Sequence, residues 1–240
     1  MIPGNSNVFF KVTSHFTFLQ NTIIKLLNMI HPSMEHNIEK FLMIKKALFF
    51  CELEEIEGSY FEFGVYEGSS LFSAVNFHCK MKSKFQRNFF GFDSFEDGFK
   101  YYSPEDIHPF FQEGDFSCSY AKVVKRFANY SNVKLMKGLF EETIDGKSPI
   151  ELFKESKCAV AFIDCDLMHP TIIALNFIKP ILQKGTVLII DDYWAYRGSQ
   201  KKGTCGGLNY FIDNNPGIII RPYVAYGHGG MSFIIEDIIQ

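Results

Sequence analysis

The chain has little of several things. It holds one tryptophan, no two cysteines at C-x-x-C spacing, no basic block longer than Lys201-Lys202 and no apolar run long enough to span a bilayer. Each absence removes a class. Six scattered cysteines (Cys51, Cys79, Cys118, Cys158, Cys165 and Cys205) signal neither a zinc site nor a disulfide framework, and read as small buried hydrophobes. The N-terminus lacks a charged segment followed by an apolar one and a small-residue cleavage site, so a soluble cytoplasmic protein is expected. With 24 Lys and Arg against 27 Asp and Glu, and a net charge of −3, nucleic acid is not the expected partner. Internal repeats and low-complexity tracts are also missing.

What is present is a core. Hydrophobic residues make up 47% of the 240, with 27 Phe and 11 Tyr, enough for one well-packed α/β domain and too little for two. From Phe16 to Ile30 the apolar positions Phe16, Leu19, Ile23, Leu26, Leu27 and Ile30 recur at helical spacing. After His31-Pro32 a second helix runs from about Ser33 to Cys51, while residues 1–15 have no clear period. These helices precede the first strand. The spacing therefore predicts a helical cover over residues 1–55, serving as core cover, dimer face or lid, and a main domain over 56–240.

The stretch Ser59-Tyr-Phe-Glu-Phe-Gly64-Val-Tyr-Glu-Gly68-Ser-Ser-Leu-Phe72 reads as a buried strand entering a glycine-hinged turn and a helix start. Ser69 or Ser70 is the expected cap, and the helix N-terminus would offer free N–H groups to a ligand. The spacing Glu62-x-Gly64-x-Tyr66-x-Gly68 fails the dinucleotide fingerprint, because Tyr66 fills the place of a glycine. Further strands follow at Asn88–Phe92, Val133–Met136, Cys158–Ile163 and Gly185–Ile190, with helices at Tyr120–Phe127, Phe140–Ile144, Thr171–Leu182 and Thr204–Asp213. Apolar runs without alternation, separated by helices, are the pattern of a parallel sheet covered on both faces. Ile218–Arg221 and Met231–Ile235 are close enough to pair antiparallel. Between Phe95 and Phe116 lies a long irregular loop rich in aromatics, of a kind that is more often functional than accidental.

Acidic residues mark the strand ends: Glu62, Asp93, Asp164, Asp191 and Asp192. In an open parallel sheet ligands bind at that edge. Asp93 is set to accept the ribose hydroxyls of an adenosine ligand, yet it lies 31 residues after Glu62, beyond the roughly 20 of the NAD pattern, which favours another adenosine cofactor. With no lysine nearby in sequence, Asp164, Asp191 and Asp192 would repel one another unless a hard cation such as Mg²⁺ or Ca²⁺ sits between them. Alternatively, Asp191-Asp192 simply caps the next turn.

Together, Glu62-Phe-Gly-Val-Tyr-Glu-Gly68, Gly91-Phe-Asp-Ser-Phe-Glu96, Lys137-Gly-Leu-Phe140, Phe162-Ile-Asp-Cys-Asp-Leu167 and Ile190-Asp-Asp-Tyr193 resemble the successive motifs of the macrocin and mycinamicin sugar O-methyltransferases. The resemblance covers about Gly58 to Ile235. It implies a Rossmann-like, class I S-adenosylmethionine-dependent methyltransferase: α/β, with a seven-stranded, mainly parallel sheet, helices on both faces and the last strand antiparallel. By that resemblance Glu62, Gly64 and Gly68 hold the methionine end of the cofactor and Asp93 and Ser94 the ribose. It extends the cofactor set to Val65, Tyr66, Ser69, Gly138, Phe140 and Asp164, and assigns Mg²⁺ to Asp164, Asp191 and Asp192. Asp164 thereby joins the catalytic machinery, and the acceptor is a sugar or a glycoside. Relatives usually carry Tyr-Glu where this chain has Met168-His169, so the general base is read from the residues alone: His169, or His228 in Gly227-His-Gly-Gly230. Tyr193 and Trp194 are candidates for the acceptor pocket. Metal-independent methyl transfer, and a non-catalytic cofactor-binding assembly protein that associates through its N-terminal helices, are the competing readings.

Overall fold

The computed structural model describes residues 17–239, without the side chains of Phe18, Leu19 and Glu105; residues 1–15, where no period is found, and Phe16 lie outside the described residues. Two helices come first, α1 (Thr17–Leu27) and α2 (Pro32–Leu53). Pro32 at the first helical position and His31, whose ring accepts the Ser33 N–H, set the start of α2.

The apolar runs become β1 (Ser59–Phe63), β2 (Phe89–Asp93), β3 (Val133–Lys137), β4 (Cys158–Ile163) and β5 (Val187–Ile190), all parallel. β6 (Ile218–Tyr226) and β7 (Gly230–Ile238) complete a seven-stranded sheet of order β3-β2-β1-β4-β5-β7-β6, in which β7 is antiparallel to both neighbours. The expected α/β sheet with an antiparallel final strand is thus what forms. Its order reverses between β1 and β4, and that is where a crevice opens.

Between the strands lie α3 (Ser69–Met81), α4 (Tyr120–Arg126), α5 (Phe140–Thr143), α6 (Pro149–Phe153), α7 (Met168–Ile178), α8 (Ala195–Gly198) and α9 (Gly203–Asp213). Alternate strand residues feed two cores. Tyr60, Phe89, Val160, Phe162, Val187 and Ile189 pack with Met43, Ile44, Ala47 and Leu48 of α2 and Leu71, Ala74 and Val75 of α3. On the other face Phe61, Phe63, Phe90, Phe92, Ala161, Ile163 and Leu188 meet α7 and α9. Register pairs Phe61 with Phe90 and Phe63 with Phe92, and these rings stack at 4.9 and 4.8 Å between centroids. Each such pair stabilises by about 0.5–1.5 kcal/mol beyond its burial.

Three of the differences from the sequence reading have a local cause. α7 begins at Met168, three residues before Thr171, because Pro170 falls in its first turn, where no N–H is needed. β6 continues through Pro222, which an edge strand tolerates, and the register slips between Pro222 and Ala225. α6 has no counterpart in the sequence reading, although Ser148-Pro-Ile-Glu151 is a capping box in which Ser148 and Glu151 accept each other's backbone N–H.

Candidate active site

At the carboxyl ends of β1, β2, β4 and β5 lies a cavity of about 650 Å³. Its floor is the turn after β1. Gly64 has φ +96°, and a Cβ there would stand 1.8 Å from the Asp164 carbonyl oxygen, so only glycine lets the ends of β1 and β4 approach. Asp93 fixes this turn: its carboxylate accepts the N–H groups of Val65 and Tyr66, both at 2.7 Å, and of Phe95 at 2.6 Å. Burial pushes the Asp93 carboxyl above its ordinary range, and those three bonds oppose the shift.

Glu62 lies beneath the turn, fully buried and away from the cavity lining. Tyr60 and Ser70 hydroxyls donate to its two oxygens at 2.6 Å each, and burial pushes its pKa up to about 7. Ser70 is therefore engaged with Glu62 rather than capping α3; the cap is Gly68, in the left-handed region at φ +78°. Ser69 is exposed and accepts from Arg126. Of the residues assigned to the cofactor, Gly64, Tyr66, Asp93, Ser94, Gly138, Phe140 and Asp164 line the cavity, while Glu62, Val65, Gly68 and Ser69 lie under or beside the turn.

The acids at β4 and β5 fall into two groups. Asp164, Asp166 and Asp192 each offer an oxygen within 4.8 Å of the others. Asp166 and Asp192 sit at φ +60° and +49°, a strained backbone that gathers at functional sites. Burial, with mutual repulsion added to it, pushes all three carboxyls above the usual range. Asp191 is different. It accepts from Lys40 Nζ at 2.5 Å, Tyr226 Oη at 2.8 Å and His36 Nε2 at 3.2 Å, and Lys40 also reaches Asp164 at 3.0 Å. Burial works against the Asp191 charge, yet Lys40 and then His36 hold its carboxyl below the usual range. A lysine remote in sequence thus stands among these acids, where the sequence reading finds none.

Lys40 and His36 come from α2, whose residues Ser33, His36, Asn37 and Lys40 form one wall of the cavity. That stripe, spaced three, four and seven apart, is the signal the sequence reading missed. Asp166, two residues from Asp164, was also missed. His228 lines the cavity and packs against His36 with ring centroids 4.3 Å apart and planes tilted by 39°, whereas His169 lies outside the lining, half exposed, and pairs with Glu141 at 3.3 Å.

The aromatic loop supplies the remaining wall. Phe99, Phe111 and Leu167 pack together, Tyr196 donates to the Asp106 carbonyl at 2.7 Å and Tyr101 donates to that of Phe111. Phe110 and Trp194 stay 71% and 55% exposed while lining the cavity, which leaves two flat apolar surfaces for a ligand. Tyr193 packs instead against the core beside Phe233.

Solved structures share this fold. The calicheamicin methyltransferase CalS11 aligns at TM-score 0.65 with 20% identity, over 98% of this chain and 95% of its own, and the O-methyltransferase NovP at 0.62 with 16%, over 83% and 80%. No curated protein has a significantly similar sequence. The sheet order and the switch-point cavity define the Rossmann-like fold that these methyltransferases share. Within that class the macrocin O-methyltransferase (TylF) family model matches residues 38–204, more than half of the chain, and the chain belongs to this family. It is an S-adenosylmethionine-dependent O-methyltransferase by family. Among the described residues no helix is long and apolar enough to cross a membrane.

Proposed function

We propose that the enzyme methylates a hydroxyl of a sugar or a glycosylated small molecule, with Mg²⁺ bound beside the acceptor. The observation that carries this reading is the junction of two unlike walls in one cavity, Asp164, Asp166 and Asp192 against the exposed rings of Phe110 and Trp194. Flat apolar walls with a few convergent polar groups suit a ring bearing hydroxyls. The family is named for macrocin, and CalS11 is a TDP-rhamnose 3′-O-methyltransferase of calicheamicin biosynthesis, which supports a sugar hydroxyl as acceptor.

The carboxylates fit a hard divalent ion, since they are three oxygen donors that repel one another, and Lys40 is in direct contact with Asp164 of the three. Asp164, Asp166 and Asp192 would hold it, and Asp191 is the further ligand that the family resemblance implies. When bound, Mg²⁺ lowers the pKa of the acceptor hydroxyl, and S-adenosylmethionine supplies an electrophilic methyl group. The chain's own residues position the reactants. The Gly64–Tyr66 turn, with Ser94, Gly138 and Phe140, lies along the cofactor, and Asp93 keeps an oxygen lone pair for the ribose while pinning the turn. His228, on the cavity wall, accepts the acceptor's proton; His169, tied to Glu141, is the more remote candidate.

Among the described residues up to about 55, α2 serves as cover for this cavity. Ile24, Leu26 and Leu27, more than half exposed, make α1 the face of a homodimer in the same reading, to be tested by light scattering. Six unpaired cysteines support a reducing, cytoplasmic setting.

The test is calorimetry with S-adenosylhomocysteine, followed by methyl transfer to a panel of sugars and glycosides with Mg²⁺ or with excess chelator. Binding of the cofactor product and chelator-sensitive transfer are expected; no heat of binding refutes the enzyme assignment for this chain. One observation favours a second reading, metal-independent transfer: the Lys40 ammonium already lies between Asp164 and Asp191. Full activity in chelator would select it.

A further inference from the structure

One face of α2 borders the cavity through Ser33, His36, Asn37 and Lys40, and these side chains are of two kinds. His36 and Lys40 are spent inside the protein: His36 is buried against Asp191 at 3.2 Å, and Lys40 bridges Asp164 and Asp191. Ser33 and Asn37 are exposed, and neither the Ser33 hydroxyl nor the Asn37 amide has a hydrogen-bond partner among the described residues. The His31 ring takes the Ser33 N–H, which caps the helix without using the Ser33 hydroxyl. Four residues apart, the two free side chains lie on the same face of the helix.

The surroundings of this pair make it part of a subsite. Glu39 accepts the Gly227 N–H at 2.5 Å, and the Trp194 N–H donates to the Gly229 carbonyl at 3.1 Å, so α2, the turn between β6 and β7 and Trp194 are joined into one wall. Gly227 has φ +55°, and a Cβ there would lie 2.1 Å from His36 Nδ1; the bare backbone lets the turn close onto α2. A Cβ at Gly229 would stand 3.6 Å from Asp192 Oδ1, which sets the same wall beside the acids. Trp194, 55% exposed, offers an apolar plate on it. A sugar ring laid on an indole keeps its hydroxyls at its rim, where they need partners that both donate and accept. The Asn amide and the Ser hydroxyl do both without bringing a charge to be desolvated.

We propose that Asn37, with Ser33 one turn before it, is a specificity-determining residue that hydrogen-bonds the acceptor sugar through hydroxyls other than the one methylated, while Trp194 carries the ring face. This rests on the sugar-acceptor reading given above and adds to it the residues that choose among sugars. It separates two jobs along one helix face: His36 and Lys40 fasten α2 to the sheet edge, and Ser33 and Asn37 meet the ligand.

The experiment uses Trp194, the one tryptophan of the chain, as its reporter. Its emission is titrated, with S-adenosylhomocysteine and Mg²⁺ present, against phenyl glycosides of rhamnose, glucose and galactose, and then against the monodeoxy analogues of the tightest binder. In the wild-type chain, removal of the hydroxyl that Asn37 reads should weaken binding about tenfold. Asn37→Ala should weaken the parent glycoside about tenfold and bind that deoxy analogue within about twofold of the parent, since the two changes remove the same hydrogen bond. Ser33→Ala should cost about threefold. Calorimetric affinity for S-adenosylhomocysteine should stay within about twofold in both variants, because exposed side chains are being trimmed and the Gly64–Tyr66 turn is untouched. If Asn37→Ala ranks the deoxy analogues as the wild type does, the assignment is overturned while the sugar reading stands. A wild-type chain whose Trp194 emission answers to none of the glycosides would instead sink the sugar reading and, with it, the role given to Asn37.

Discussion

Glu62 and Asp191 on one side, and Asp164, Asp166 and Asp192 on the other, are carboxylates at the same sheet edge with opposite surroundings. Glu62 accepts two hydroxyls inside the protein, and Asp191 accepts an ammonium, a phenol and an imidazole. The other three face one another across the cavity that Asp191 also borders. The difference teaches where the chain uses charge to hold itself together and where it leaves charge for a ligand. Lys40 sits on the boundary, touching one acid of each kind.

The comparison breaks most severely at Lys40. Its side chain and that of Asp191 are 14% and 2% exposed, so Lys40→Met strands a buried carboxylate and should lower the unfolding free energy in urea by about 3–5 kcal/mol. Adding Asp191→Asn should recover most of that loss; no recovery would mean that Asp191 is not the partner that matters.

Glu62 should give the next effect, read through pH. Burial raises its pKa from 4.5 to about 7, so the folded chain keeps this proton where the unfolded chain has released it. Its stabilisation is complete below about pH 4.5 and is lost as the pH rises through about 7, roughly 3 kcal/mol in all. Glu62→Gln should flatten that part of the stability profile. An unchanged profile would show that other groups carry it.

On the ligand side the readout changes from stability to rate. Asp192→Asn removes a charge that its neighbours repel, so unfolding should move little, yet Mg²⁺-dependent methyl transfer should fall on the order of 10²-fold. Phe110→Ala should be the mildest. At 71% exposure it should change stability by less than about 0.5 kcal/mol, while raising KM for the acceptor several-fold and leaving KM for S-adenosylmethionine alone.

Much of this was legible in the sequence because it is local. The buried runs around Phe61, Phe90, Val160 and Leu188, separated by helical spacing, give the parallel sheet directly, and the acids at their ends mark the working edge. The Asp191 environment was not legible, since its partners Lys40 and Tyr226 lie 151 residues before it and 35 after it, and only the packing of α2 on β4 and β5 unites them. Asp166 was within reach. It stands two residues after Asp164, where an extended chain returns to the same face, and a left-handed backbone then turns it toward Asp192. Ser70 illustrates the reverse error: a serine at a helix start invites the capping reading, but a buried carboxylate eight residues earlier claims its hydroxyl.

The most direct test is a crystal structure with S-adenosylhomocysteine and Mn²⁺, read by anomalous scattering from the metal. The expected result is one metal peak beside the carboxylates at the ends of β4 and β5, with the cofactor product along the Gly64–Tyr66 turn. A cofactor-loaded site without any metal peak, or a peak away from these carboxylates, would contradict the cation reading.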